Sequence, residues 1–216
     1  LLSASRLRIS EIFFSLQGEA SRVGLPTVFV RLTGCPLRCR YCDTDYAFQG
    51  GEWRDLDAIL SQVLAFPTRH VTVTGGEPLA QKACLELLVA LCDAGCDVSL
   101  ETSGALDISH VDPRVSRIVD LKTPASGEVE RNFWPNLLVL GPRDEVKFVL
   151  ADPADYDWAK QMLYEHQIHQ RCPVLFSPVW SQVEPADLAN WILRDGLPVR
   201  MQVQLHKILW QEAKGR

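Results

Sequence analysis

The sequence predicts an α/β fold in which a mostly parallel sheet is covered by helices. Two observations carry this. Short β-rich apolar runs alternate with longer stretches whose apolar residues recur at helical spacing, the pattern of strands and crossover helices. The strand candidates are apolar through most of their length, as in sheets buried on both faces. A third observation concerns chemistry. Reactive residue types gather just after the strands, and in parallel sheets ligands sit at the strands' carboxyl ends.

Residues 27–32 (TVFVRL) form the first strand, which stops at Thr33-Gly34. A helix follows at about residues 55–65, with Leu56, Ile59, Leu60 and Val63 on one face. Residues 70–74 make a strand ending at Gly75-Gly76, residues 80–94 a helix, and residues 97–101 the next strand. Further strands are predicted at 117–121, 145–150, 173–176 and 199–203, with helices near 153–169 and 185–194. No repeat, low-complexity tract or linker interrupts this order, so residues 1–216 read as one domain.

The net charge of −5 argues against a general nucleic-acid binder. No apolar run is long enough to span a membrane, and residues 1–5 lack the form of a secretory leader. The 7 cysteines are an odd number, unevenly placed, which is unlike a secreted disulfide framework. Three of them fall between positions 35 and 42, a spacing that reads as metal ligation in a reducing compartment, and a cytoplasmic location is expected. Cys84, Cys92, Cys96 and Cys172 are expected to be small buried apolar residues.

Cys35, Cys39 and Cys42 have the spacing C-x₃-C-x₂-C. Thiolates are soft ligands for iron–sulfur clusters or zinc. Three of them on a four-iron cluster leave one iron without a protein ligand, open to a substrate. The competing reading is a structural zinc site whose fourth ligand is His70, His110, His166, His169 or His206, although no second C-x₂-C pair exists. Gly75-Gly76-Glu77-Pro78 follows a strand; paired glycines allow close backbone approach, and Pro78 suits a first helical turn. Glu101, Thr102, Ser103 and Gly104 end the next strand, and Lys122 lies beyond the one after it.

The cysteine spacing, with Tyr41 before the third cysteine and Gly75-Gly76-Glu77-Pro78 about 35 residues on, resembles the radical S-adenosylmethionine superfamily. The resemblance implies a 4Fe–4S cluster on Cys35, Cys39 and Cys42. The amino and carboxylate groups of S-adenosylmethionine chelate its open iron, and electron transfer yields a deoxyadenosyl radical. It further places Tyr41 near the adenine, and Gly75, Gly76 and Glu77 at the methionine amino group. Glu101 and Ser103 would meet the ribose or carboxylate, and Lys122 a carboxylate.

Four further segments are similar to the 7-carboxy-7-deazaguanine synthase family: residues 11–19, 30–35 and 42–44, and Gln204-Leu205-His206-Lys207. That similarity implies an incomplete (βα) barrel of about six mostly parallel strands and a homodimer. It implies conversion of 6-carboxy-5,6,7,8-tetrahydropterin to 7-carboxy-7-deazaguanine with loss of ammonia, with Mg²⁺ as a further cofactor and flavodoxin or ferredoxin as reductant. Substrate would meet Leu16, Gln17, Gly18, Glu19, Arg31, Thr74 and His206, with Mg²⁺ at Thr44. Gln17 and Glu19 can read an amino-pyrimidinone edge, and Arg31 can pair a carboxylate bidentately. Thr44 offers the kind of oxygen Mg²⁺ takes. The residues alone leave open that Arg31 is a structural ion pair, Thr44 a loop cap and His206 a core histidine. Ala20 stands where the family pattern carries a second glycine, which predicts a less compact loop. Two other functions share parts of the pattern: an activase of a glycyl-radical enzyme, and a zinc-bound interaction module.

Overall fold

Among the residues described by the computed structural model (5–211, 213 and 215), nine strands form one sheet. Residues 1–4, on which most of the leader reading falls, lie outside the described residues. In chain order the strands are β1 (Arg6–Leu16), β2 (Pro26–Leu32), β3 (Glu52–Asp55), β4 (His70–Gly75), β5 (Asp97–Thr102), β6 (Ser116–Leu121), β7 (Glu145–Leu150), β8 (Val174–Pro178) and β9 (Arg200–Met201). Their spatial order is β3-β1-β2-β4-β5-β6-β7-β8-β9. All pairs from β2 onward are parallel. The six full-length parallel strands expected are β2 and β4 to β8; the strand expected at 199–203 shrinks to β9. β1 and β3, which the sequence reading passed over, extend the β2 edge in antiparallel register.

Five helices are α1 (Leu56–Leu64), α2 (Cys84–Asp93), α3 (Pro153–Glu165), α4 (Pro185–Asp195) and α5 (Leu205–Trp210). α3 begins with proline at its first turn and Asp152 as cap, whose carboxylate accepts from the Asp155 amide at 2.8 Å. α4 also opens on proline and closes at Gly196 in the left-handed region. α2 starts later than residue 80 because Pro78–Ala80 forms a separate 3₁₀ turn, so Pro78 opens that turn rather than the helix. Between β5 and β6 there is no helix. Buried Asn136 holds that stretch instead, accepting from the Ile108 amide and donating to the Gly104 and Leu106 carbonyls.

The strands are less uniform than their composition suggests. Val71 and Val73, Val98 and Leu100, Val119 and Leu121, and Val146 and Phe148 pack into the main core with α1, α2 and α3. The residues alternating with them include Thr72, Thr74, Ser99, Glu101, Asp120 and Lys147, beside Ile118 and Val149, so the opposite face is largely polar. On that face the loop after β1 meets the segment after β9. The Leu205 amide donates to the Gly18 carbonyl at 3.1 Å, and the Ala20 amide to Gln202 Oε1 at 2.7 Å. These links curl the open sheet toward an incomplete barrel. The loop is compact despite Ala20, which is 2% exposed and takes a positive φ of 62°. Its methyl packs on Ile118 and Leu175, offsetting the cost of a conformation that favours glycine.

Candidate active site

A cavity of about 490 Å³ opens at the carboxyl ends of the parallel strands. It is lined by every site residue expected from the sequence except Cys35 and Glu77.

The cysteine loop follows β2. Gly34, with φ of 101°, turns the chain into it. The loop is tied to the β4 turn by the Glu77 amide, which donates to the Gly34 carbonyl at 2.8 Å. Gly75 and Gly76 permit this approach. A Cβ on Gly75 would overlap the Leu32 carbonyl; one on Gly76 would overlap the Gly34 carbonyl and come within 2.8 Å of Cys35 Cβ. Cys35, Cys39 and Cys42 are free thiols of intermediate exposure. Burial pushes the Cys39 thiol up to about 11, and raises Cys35 and Cys42 as well, so the apo loop holds neutral sulfurs. Cys84 and Cys172 are buried as expected, whereas Cys92 and Cys96 keep partial exposure. Among the described residues no group of three or more His, Cys, Asp or Glu is arranged to hold a single metal ion.

Glu77 lies beneath the cavity rather than on its wall. Its carboxylate is fully buried and accepts from the Ser103 amide (2.7 Å), the Ser103 and Thr102 hydroxyls, and the Leu79 amide (3.0 Å). It therefore bolts the end of β4 to the end of β5 and orients Ser103, which does line the cavity. Tyr41 donates to the Val149 carbonyl at 3.1 Å, fixing its ring at the wall.

Gln17 lines the cavity, and its side-chain amide is hydrogen-bonded within the protein. Its Nε2 donates to Thr72 Oγ1 at 3.0 Å and Glu101 Oε1 at 3.2 Å, and its Oε1 accepts from the Glu19 amide. Gly18 has no room for a side chain, because a Cβ would overlap Nδ1 of His206. Burial lowers the pKa of His206, which keeps the imidazole neutral near pH 7. Arg31 pairs with Glu11 through Nε at 2.6 Å, and Tyr46 donates to the same carboxylate. This pairing realises the structural reading, yet leaves the Nη edge of a cavity-lining guanidinium for a ligand. The Thr44 hydroxyl donates to Asp43 at 2.8 Å, and both residues line the cavity.

Two wall residues escaped the sequence reading: Asp120 on β6 and Lys147 on β7. They are register partners, so both side chains reach the polar face. Lys147 Nζ lies 2.5 Å from Glu19 Oε2 and 3.6 Å from Asp120 Oδ2, which is also 3.1 Å from Lys122 Nζ. Burial would raise the Glu19 carboxyl, but Lys147 and the Gln204 hydrogen bond hold it at about 2. Lys122 and Lys147 stay charged, since their carboxylate neighbours outweigh burial. Glu101 is raised, first by burial and then by the charge on Glu19. A charged residue flanked on both sides by apolar ones within a strand was the available signal. Trp180, Ser181 and Gln182, which follow β8 at the cavity mouth, carried none.

Residues 29–125 match the radical SAM superfamily. Over 213 residues the chain is 52% identical to the 7-carboxy-7-deazaguanine synthase of Chlorobaculum tepidum, with 97% of each chain covered. It is 42% identical to that of Koribacter versatilis, covering 97% of this chain and 100% of the other. Among solved structures, QueE from Escherichia coli has the same fold, with a TM-score of 0.74 over 93% of this chain and 95% of that one at 23% identity. Streptococcus suis SuiB bound to a precursor peptide gives 0.55 over 79% of this chain and 46% of its own.

Proposed function

The chain belongs to the 7-carboxy-7-deazaguanine synthase family of radical S-adenosylmethionine lyases, and from that premise we propose that its cavity converts 6-carboxy-5,6,7,8-tetrahydropterin to 7-carboxy-7-deazaguanine with release of ammonia. One observation carries the assignment of the site. A single cavity brings Cys39 and Cys42 together with Glu19, Arg31 and His206, so soft metal ligands face groups that suit a flat heterocyclic carboxylate.

The residues present fit the cofactors. Three free thiols on one loop form a soft donor set, and Gly75 and Gly76 let the turn after β4 close on that loop, where any Cβ would overlap it. A 4Fe–4S cluster on Cys35, Cys39 and Cys42 would keep one iron open to S-adenosylmethionine and supply the electron that cleaves its sulfonium. The chain itself binds and orients. Ser103, fixed by Glu77, and the Gly75-Gly76 backbone offer hydrogen bonds to the methionine end, and Lys122 offers a cation to its carboxylate. Tyr41 walls the adenine side. Ionised Glu19 accepts from the ring N–H groups, the Nη edge of Arg31 clamps the pterin carboxylate, and neutral His206 holds the far edge through its imidazole. Phe13, Phe29 and Phe48 exclude water from the same wall. Mg²⁺ takes few protein ligands, and the Thr44 oxygen beside Asp43 suits one position of its shell.

The active unit reads as one domain, supported by its single sheet, and as a homodimer, supported by Leu193 on α4 and Ile208 and Leu209 on α5, exposed apolar side chains that a second copy would cover. No described helix is long and apolar enough to cross a membrane. Free thiols throughout suit a reducing, cytoplasmic setting, where flavodoxin or ferredoxin would deliver the electron. The activase and zinc-module readings give way to the family membership. Cys39→Ala tests the ligand assignment: it is expected to abolish iron and sulfide incorporation and S-adenosylmethionine cleavage together. Full cleavage by that variant would overturn the assignment.

A further inference from the structure

We propose that Lys147 is a positioning residue for the pterin: it holds Glu19 in the geometry and charge state that read the ring edge, and Asp120 anchors it there. The inference rests on the substrate reading above and adds a residue outside its contact set.

The geometry is specific. Lys147 stands in the middle of β7 with Asp120 as its register partner on β6, and the backbone aims both at the polar face. Its ammonium touches Glu19 at 2.5 Å and Asp120 at 3.6 Å, and Asp120 turns to Lys122 at 3.1 Å. The result is a buried chain of alternating charge from the pterin wall to the cysteine side, with no side chain in it more than 20% exposed. Asp120 Oδ1 has no hydrogen-bond partner among the described residues, so this carboxylate has capacity left beyond its lysines. Glu19 is surrounded by Lys147 from β7, Gln204 and His206 from the segment after β9, and Glu101 from β5. Gln204 is neutral and His206 is held neutral by burial, while Glu101 and Asp120 are acids. Lys147 is thus the fixed cation in contact with Glu19. Without it, burial and the neighbouring acids favour the protonated carboxyl, whose O–H opposes ring N–H groups that need an acceptor.

The test uses the anaerobically reconstituted enzyme with S-adenosylmethionine, dithionite, Mg²⁺ and 6-carboxytetrahydropterin. Lys147→Met is expected to raise KM for the pterin at least tenfold, a far larger loss than any it causes in deoxyadenosine formation without pterin. Its KM should fall as pH rises from weakly acidic to alkaline, because Glu19 must now ionise to bind. Wild-type KM should show no such slope from Glu19, which is already ionised. Lys147→Arg should restore most of the affinity. In a Glu19→Gln background, adding Lys147→Met should cost little more, since both act through one carboxylate. Additive losses, or equal losses of pterin affinity and cofactor cleavage, would overturn the proposal. Failure of the wild type to consume the pterin would instead overturn the substrate reading, so the two failures are distinguishable.

Discussion

Replacing Gly76 with alanine should unseat the cysteine loop while leaving most of the protein intact. Gly76 has no positive φ, so alanine brings no backbone penalty and the effect is steric. The new Cβ would overlap the Gly34 carbonyl and lie 2.8 Å from Cys35 Cβ. Carbon atoms pack at about 3.5–4.0 Å, so the turn and the loop must part by about 1 Å. Neither side can yield as a flexible side chain would. The Glu77 amide is bonded to Gly34, and the Glu77 carboxylate is bolted to Ser103. Overpacking of this kind costs roughly 1–3 kcal/mol, a modest share of a domain's stability of about 5–15 kcal/mol. The larger effect is local, because a displacement of about 1 Å is enough to ruin a pre-organised ligand set. The assay is iron and acid-labile sulfide per chain after anaerobic reconstitution, beside thermal unfolding of the apo protein. Gly95→Ala is the control. Gly95 has φ of 79° and open space around its missing Cβ, so alanine there costs about 1 kcal/mol of strain and should leave cluster content untouched. Gly76→Ala with wild-type iron, sulfide and S-adenosylmethionine affinity would refute the claim that close packing of this turn holds the cysteine loop in place.

Three further outcomes are expected. Glu77→Gln turns an amide N–H₂ toward donors that need an acceptor; it should lower apo stability by about 1–3 kcal/mol and weaken S-adenosylmethionine binding through Ser103, read by calorimetry and by thermal unfolding. Arg31→Ala should weaken pterin binding far more than S-adenosylmethionine binding, measured by titrating each ligand; equal losses would assign Arg31 to scaffold alone through Glu11. His206 has a lowered folded pKa, so the unfolded chain binds its proton first and stability is lost as pH falls below the ordinary histidine value of about 6.5. His206→Gln should remove that part of the decline in Tm between neutral and weakly acidic pH, and an unchanged decline would place its origin elsewhere.

The parallel strands, their order along the chain and the cysteine loop were legible in the sequence because each has a local signature. The polar face of the sheet was hidden in runs read as uniformly apolar. In HVTVTG the apolar residues alternate with Thr, and in EVKFVL Lys147 stands between Val146 and Phe148; Thr74 and Lys147 line the cavity. β1 was missed because its second half is only partly buried, so no clean period marks it. Gln17 shows the other limit. Its residue type suited the substrate, but its bonds to Thr72 and Glu101 span 55 and 84 residues of chain, and no local pattern records such pairings. At Ala20 the local pattern favours glycine, yet long-range packing on Ile118 and Leu175 closes the loop.

The most direct test of the central claim is product analysis by mass spectrometry after the reconstituted protein turns over S-adenosylmethionine and 6-carboxytetrahydropterin with dithionite and Mg²⁺. The expected products are 7-carboxy-7-deazaguanine and ammonia, which together account for every atom of the pterin. Deoxyadenosine formed at full rate, with the pterin left unchanged, would contradict the claim.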